Sequence, residues 1–442
     1  MLPGCFGDSG PEGDGGQVRP GETSYPERPC DTTVSRASRA RSEVKSAPPG
    51  AVVCLARGDY NLIDLSNIDK PVRRPVTFRG APGYTTSVVQ VAFGGSSGLV
   101  IERLRARQIE ATNQEPTDHI TIRLNDLGGT EKDPTEYSVI HSVGAEDNSG
   151  QHSITVERNH IHDAGSADRE PYGIQAQGNA PRWTVRYNKL ERISGGDYIQ
   201  TGNPSDWVVD HNWFLGPSNR ATEVFHPDLW QSLEPNERGT SITFSNNRIH
   251  ETDVDARPGG LGGVTTGFIF QDINTQSGGY HDVRIENNLL NRVAEGDACQ
   301  FTSSAGFVFR NNTVRAGLNG WRCRHDHNAG DPRATAYTIT RNVFTNSEMT
   351  EDFDSALPHV DCNAPSACDA VIAGSSENVT DEPPAVSGLY GPRSVRGWKP
   401  TWSRDGWYRA VGLSFSAGHN LTPADFSGWP FESDASGAPG AR

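Results

Sequence analysis

A short phrase that closes on asparagine recurs through the middle of the chain, and it limits the fold more than any other feature. It runs Trp207-Val208-Val209-Asp210-His211-Asn212. It returns as Ile120 to Asn125, Ile154 to Asn159, Trp183 to Asn188, Ile242 to Asn247, Val283 to Asn288, Phe307 to Asn312 and Tyr337 to Asn342. Each copy alternates like a half-buried strand. The closing asparagines stand 34, 29, 24, 35, 41, 24 and 30 residues apart. A fixed closing residue with an irregular period describes a coil whose loops vary in length. The reading is all-β: a right-handed parallel β-helix in which stacked rungs bury one continuous core. Stacked strands lie about 4.8 Å apart, so equivalent residues form ladders. Asparagines at one bend can then bond to each other from rung to rung. A β-sandwich with Asn-rich turns is the alternative.

Other features fit a solenoid. The 442 residues include 48 Gly and 29 Pro, which suits many turns, and only 34% hydrophobic residues. No apolar run is long enough to span a membrane as a helix. A net charge of −15 argues against nucleic acid as a partner, because phosphate binding needs a basic face. Six of the seven cysteines form local pairs, Cys30/Cys54, Cys299/Cys323 and Cys362/Cys368, which suggests an oxidising compartment. The alternative is that they are reduced and packed as small apolar groups. Cys5 follows Leu2-Pro3-Gly4, which resembles the end of a bacterial lipoprotein signal without its hydrophobic stretch. An acylated Cys5 would tether a secreted or cell-surface protein, whereas a plain tail is the competing reading.

Three regions are expected. Residues 1–30 form a flexible tether rich in Gly, Pro, Asp and Glu. Residues 31–346 form the β-helix, opened by a capping helix over 31–46 that starts at Asp31 or Thr32. Strands follow at Val52 to Leu55, Val76 to Phe78, Val88 to Ala92 and Leu99 to Leu104, with Leu104 in the asparagine slot. Residues 347–442 form an irregular C-terminal region that packs on the solenoid or caps it.

A second ladder is expected from Gln175, Gln200, Gln231, Gln271 and Gln300, each closing a strand. His141 aligns with Gln175 and Arg324 with Gln300. Ile174, Ile199, Trp230, Phe270 and Cys299 should point inward and the glutamines outward.

Chemistry is expected near the start of these strands. Asp197 and Asp228 fall on consecutive rungs, about 5 Å apart, with Asp297 two rungs further. Two carboxylates that close either share a proton or hold a cation, and calcium suits stacked aspartates. The competing reading is that they cap turns. His226 stands beside Asp228. Arg322, Arg324 and His325 concentrate cations after Asp297, and Tyr198 and Trp321 are candidates to stack on sugar rings. The pairs His160/His162 and His250/Glu251 read as a solvated turn face.

The strings Gly196-Asp197-Tyr198-Ile199-Gln200 and His226-Pro227-Asp228-Leu229-Trp230-Gln231 resemble strand starts of the pectin-lyase-like right-handed parallel β-helix superfamily. Gly296-Asp297-Ala298-Cys299 resembles the Gly-Asp-Asp-Cys string of polygalacturonase-like hydrolases, with Ala298 replacing the second Asp. Arg322-Cys323-Arg324 stands roughly where those hydrolases carry an Arg-x-Lys pair. The resemblance implies an extracellular enzyme acting on a polysaccharide. The leading expectation is a monomeric lyase on a uronate-containing glycan. In it Asp197 and Asp228 bind calcium or sugar, and Arg322, Arg324 or His226 clamps the carboxylate or moves the proton. The glutamines, Tyr198, Trp321 and His325 bind substrate. The alternatives are a glycoside hydrolase using Asp197, Asp228 and Asp297, and a non-catalytic glycan-binding solenoid.

Overall fold

A computed structural model describes residues 28–111, 116–130, 132–143, 151–165, 170–193, 196–216, 228–233, 239–250, 267–271, 280–293, 299–302, 306–316, 322–326 and 338–345. Strand segments within 359–411 complete the described set. The chain winds as a right-handed parallel β-helix with three strand-bearing faces, the architecture expected from the repeat.

The first face is a 13-stranded sheet running from Thr32–Val34 to Ser375–Ser376, and the asparagine phrases supply its middle strands. Ile154 sits on Ile120, Val209 on Val185, Phe244 on Val209 and Phe309 on Ile285, all in parallel register. The second and third faces meet at Arg105–Ala111. Its start pairs with Asp126–Gly128 on the second face, and its end pairs with Ile140–Val143 on the third.

Why each phrase ends in asparagine is plain from its bonds. The residue before each one turns the chain in the left-handed region, with φ between 53° and 57° from Leu124 to Arg341. The asparagine then points inward, fully buried in all eight copies. Asn188 Nδ2 donates to Asn212 Oδ1 at 3.0 Å, and the Asn188 backbone N–H donates to the same oxygen at 3.0 Å. This pattern runs unbroken from Asn125 to Asn342. Leu104 occupies the same slot one rung earlier, and its N–H reaches Asn125 Oδ1 at 3.0 Å.

Removing one member strands its neighbours. In Asn212→Ala, the Asn188 donors lose their acceptor, and Asn247 Oδ1 and the Val185 carbonyl each lose a donor. Each buried unpaired group costs about 1–3 kcal/mol, so a loss of roughly 2–4 kcal/mol is expected in denaturant melts. Val208→Ala, at an exposed position of the same strand, serves as the control.

Apolar residues fill the interior between the faces. Trp183 and Trp207 stack with centroids 5.1 Å apart and planes within 4°. Trp230, Phe244, Phe268 and Phe270 extend this aromatic column across the following rungs.

The N-terminal end is closed by the helix Ala37–Ser46, which buries Ala40 and Val44. It starts later than expected, because Thr32–Val34 is a strand paired with Val52–Leu55. A Cys30–Cys54 disulfide joins these two segments, as the spacing suggested. Lys70 Nζ donates to the carbonyls of Lys45 and Ala47 at the helix C-terminus, where a cation meets the negative end of the dipole. Among the described residues no helix is long and apolar enough to cross a membrane.

Strands His359–Cys362, Ser375–Ser376 and Val379–Thr380 stack on the third, first and second faces beyond Asn346. Cys299 and Cys323 are in register on neighbouring rungs, whereas Cys5 and Cys368 lie outside the described residues.

Candidate functional site

Counting from each ladder asparagine places the same outward positions of the second face side by side. The first residue after the bend is Asp126, His160, Lys189, Trp213 and Arg248 on five successive rungs. The third residue is Gly128, His162, Glu191 and Leu215. Gly128 has φ 134°, and a Cβ there would fall 1.7 Å from the His162 carbonyl oxygen. The missing side chain lets that rung close against His162.

These side chains form one network. Asp126 Oδ1 lies 3.2 Å from His160 Nδ1 and 2.9 Å from His162 Nε2. Each ring's other nitrogen meets a further carboxylate: His160 Nε2 is 2.7 Å from Glu191 Oε1, and His162 Nδ1 is 2.6 Å from Asp163 Oδ2. The two rings stack at 4.1 Å. Arg192 donates to Asp163 at 2.7 and 2.9 Å and lies 2.9 Å from Glu191. Lys189 Nζ is 2.9 Å from Glu191 Oε2, and Arg105 is 3.1 Å from Asp126. Lys189 and Arg248 flank the Trp213 ring at 5.8 and 4.9 Å.

The network sets the charges. Burial alone would raise the Asp126 carboxyl, but hydrogen bonds from His160 and His162 outweigh it and hold Asp126 well below the usual range. Glu191 is held low in the same way by His160, Arg192 and Lys189 against its burial. Burial would likewise raise Asp163, yet Arg192 and His162 hold it at about 2. Burial works against the His162 cation, but Asp126 and Asp163 raise it to about 9. The row therefore presents ionised carboxylates and cations at neutral pH. Within it, Arg105, His162, Lys189, Arg192 and Arg248 outnumber Asp126, Asp163 and Glu191.

His160 and His162 do not lie on the solvated turn face that the sequence suggests. Their side chains are only 15% and 12% exposed and tied on both nitrogens. The signal that would have found them was the shared offset from the ladder asparagines.

The expected site on the third face is brought together only in part. Asp197 and Asp228 do stack on consecutive rungs: the Asp228 N–H donates to Asp197 Oδ1 at 2.9 Å. Both residues are buried, at 3% and 0% exposure. Burial first, then the Asp228 and Glu170 charges, pushes the Asp197 carboxyl well above its ordinary value. A proton on Asp197 relieves the repulsion without an ion, and two enclosed carboxyls fall short of the six to eight oxygens calcium takes. No calcium chemistry is derived from this pair.

A stability change follows. A carboxyl raised in the folded state stabilises the fold fully below its unfolded value and loses that contribution as pH rises through the folded value. Asp197→Asn keeps the acceptor for the Asp228 N–H. It is expected to raise stability at pH 7. That gain should shrink toward pH 4, as read from melts across pH. An equal loss at both pH values would contradict it.

Tyr198, expected outward for sugar stacking, is fully buried, donates its hydroxyl to the Leu215 carbonyl and meets Phe214 edge-on. The physical reason is the bend at the strand start, where Tyr198 and Ile199 both turn inward. The glutamine ladder holds from His141 through Gln175 and Gln200 to Gln231. Gln175 Nε2 donates to Gln200 Oε1 at 2.7 Å. Gln271 leaves it: Trp230 pairs with Phe268 rather than Phe270, so Ile269 takes the slot between Gln231 and Gln300. Arg324 aligns with Gln300 as expected. The strand Arg322–Asp326 carries Arg322, Arg324 and His325, but their side chains lie outside the described residues, as do those of Gln271 and Gln300. His226, Asp297 and Trp321 lie outside them altogether.

No family model and no curated protein matches the chain. Solved structures do. The PL6 family alginate lyase AlyGC is similar at 12% identity and a TM-score of 0.44, over 89% of this chain and 57% of that one. This chain thus spans little more than half of that protein. The PL6 family polysaccharide lyase Pedsa3628 from Pseudopedobacter saltans gives 13% identity and a TM-score of 0.46, covering 81% and 92%. The catalytic unit of a GH87 α-1,3-glucanase from Streptomyces thermodiastaticus gives 14% identity and a TM-score of 0.38, covering 75% and 65%. With identities and scores this low, the function is argued from this chain's own residues.

Proposed function

We propose that the chain is a polysaccharide-cleaving enzyme, and within that class a lyase on a uronate-containing glycan, working from the outward row of the second face. The observation that carries this reading is the continuous run of cations around a half-buried indole on neighbouring rungs. Arg192, at the rim and 34% exposed, is placed to meet a sugar carboxylate, with Lys189 and Arg248 packed against the Trp213 ring beside it. On a chain of net charge −15 such a row is a local exception.

The protonation states favour elimination over hydrolysis. A glycoside hydrolase needs one protonated carboxylic acid beside an ionised one. Asp126, Asp163 and Glu191 are all held ionised by their cations. Asp197, the raised carboxyl, is enclosed by the fold. Elimination asks for different groups. A cation meets the uronate carboxylate, a base takes the proton from the adjacent carbon, the C–O bond to the leaving sugar breaks and a C=C bond forms. No base is assigned among the described groups of the row: Lys189, its one amine, is buried and ion-paired with Glu191.

The test is ultraviolet absorbance of the unsaturated product on a panel of uronans. Growth of that band on one of them is expected. Reducing-end release without the band would select the hydrolase reading. Silence on every uronan and neutral glycan would leave a non-catalytic binder. Secretion, a lipid tether at Cys5 and action as a monomer are part of this proposal, and the Cys30–Cys54 disulfide supports an oxidising compartment.

A further inference from the structure

We propose that Asp126, His160 and His162 form a binding site for one divalent first-row transition-metal ion of the zinc class. One donor atom from each of the three lies within 4.8 Å of the others. Two imidazole nitrogens face the same carboxylate oxygen at 3.2 and 2.9 Å, and an ion bound there displaces the protons that lie between them. Ligands about 2.0–2.1 Å from a tetrahedral ion stand roughly 3.4 Å from each other, so Asp126 Oδ1 needs to part from each imidazole nitrogen by only a few tenths of an ångström.

The surroundings point the same way. Metal-binding histidines generally give their other nitrogen to a carboxylate, which fixes the ring and its tautomer. Here both do, His160 to Glu191 and His162 to Asp163. Those carboxylates are themselves held, Glu191 by Lys189 and Arg192, Asp163 by Arg192. The ligands sit on paired strands rather than on a loop, with Asp126 opposite His160 and Gly128 opposite His162. Residual exposures of 17%, 15% and 12% leave the fourth position toward solvent.

The donor set selects the metal. Two imidazoles and one carboxylate suit zinc, cobalt, nickel or copper, whereas calcium takes oxygens throughout. The site shares the second-face row with the proposed cleavage, but its occupancy is measured without any glycan. It therefore stands or falls apart from the proposed cleavage.

The experiment uses full-length, tag-free protein, stripped with chelator and then titrated with Zn²⁺ and with Co²⁺. One equivalent per chain is expected, with a tetrahedral Co²⁺ visible spectrum and a rise in melting temperature on Zn²⁺ addition. His160→Ala and His162→Ala should each abolish the Co²⁺ spectrum, while Asp197→Asn retains it. Asp163→Asn, which meets the distal nitrogen of His162 and also Arg192, should weaken Zn²⁺ binding by about 10–100-fold. Should the histidine variants fail to fold, X-ray absorption of the Co²⁺ form of the native chain decides, by showing two imidazoles or none. Less than half an equivalent bound, no imidazole in the coordination shell, or an unchanged spectrum in a folded His160→Ala variant would overturn the site.

Discussion

Arg192→Ala and Lys189→Ala are each expected to lower uronan cleavage by about 100-fold or more, and to lower the melting temperature as well, because Asp163 and Glu191 lose partners. Removing a group that stabilises developing charge or carries a proton typically costs that much. Arg192 lies at the rim, 34% exposed, and makes the paired contact to Asp163 that a lysine cannot copy. Arg192→Lys should thus recover little. If Arg192 only clamps the substrate carboxylate, its loss should appear mainly in KM. Full activity in both folded variants would remove the row from the reaction. Lost activity in Asp197→Asn alone would move it to the third face.

Trp207→Ala is expected to cost about 3–5 kcal/mol, the largest single loss of stability anticipated. The ring is fully buried, lies flat against Trp183 at 5.1 Å and stands 5.6 Å from Trp230. Its Nε1 donates to the Ala180 carbonyl, one rung back. Truncation opens a cavity between two rungs that their strand pairing prevents from collapsing. Trp207→Phe keeps most of the packing and gives up the hydrogen bond, so it should lose about 1–3 kcal/mol. Urea melts read both. Equal effects from the two variants would show that the lost bond, not the packing, dominates.

The coil was legible because one residue type marks one position. An asparagine marks eight successive bends, where its amide bonds in both directions, so its spacing is printed in the sequence. The glutamine series was less secure for a physical reason. Phe268 and Phe270 are interchangeable to the eye, and only pairing with Trp230 decides which starts the strand. Tyr198 failed because simple alternation does not hold through a bend. The His160 network was missed although its register was available. Asp126, His160 and Lys189 share one offset from their asparagines, but polar residues after a bend were taken for solvent-facing ones. What no spacing could reveal is that Glu191 and Asp163 reach back to the rings.

Because each first-face strand is bonded to the strands above and below, and its bend is fixed by a single inward amide, a whole turn is the natural unit of change in this molecule. Gaps of 24 to 41 residues already close on the same lattice. Lengthening, shortening or duplicating one circuit would leave the others as they are, so new surfaces can be acquired by insertion rather than by redesign.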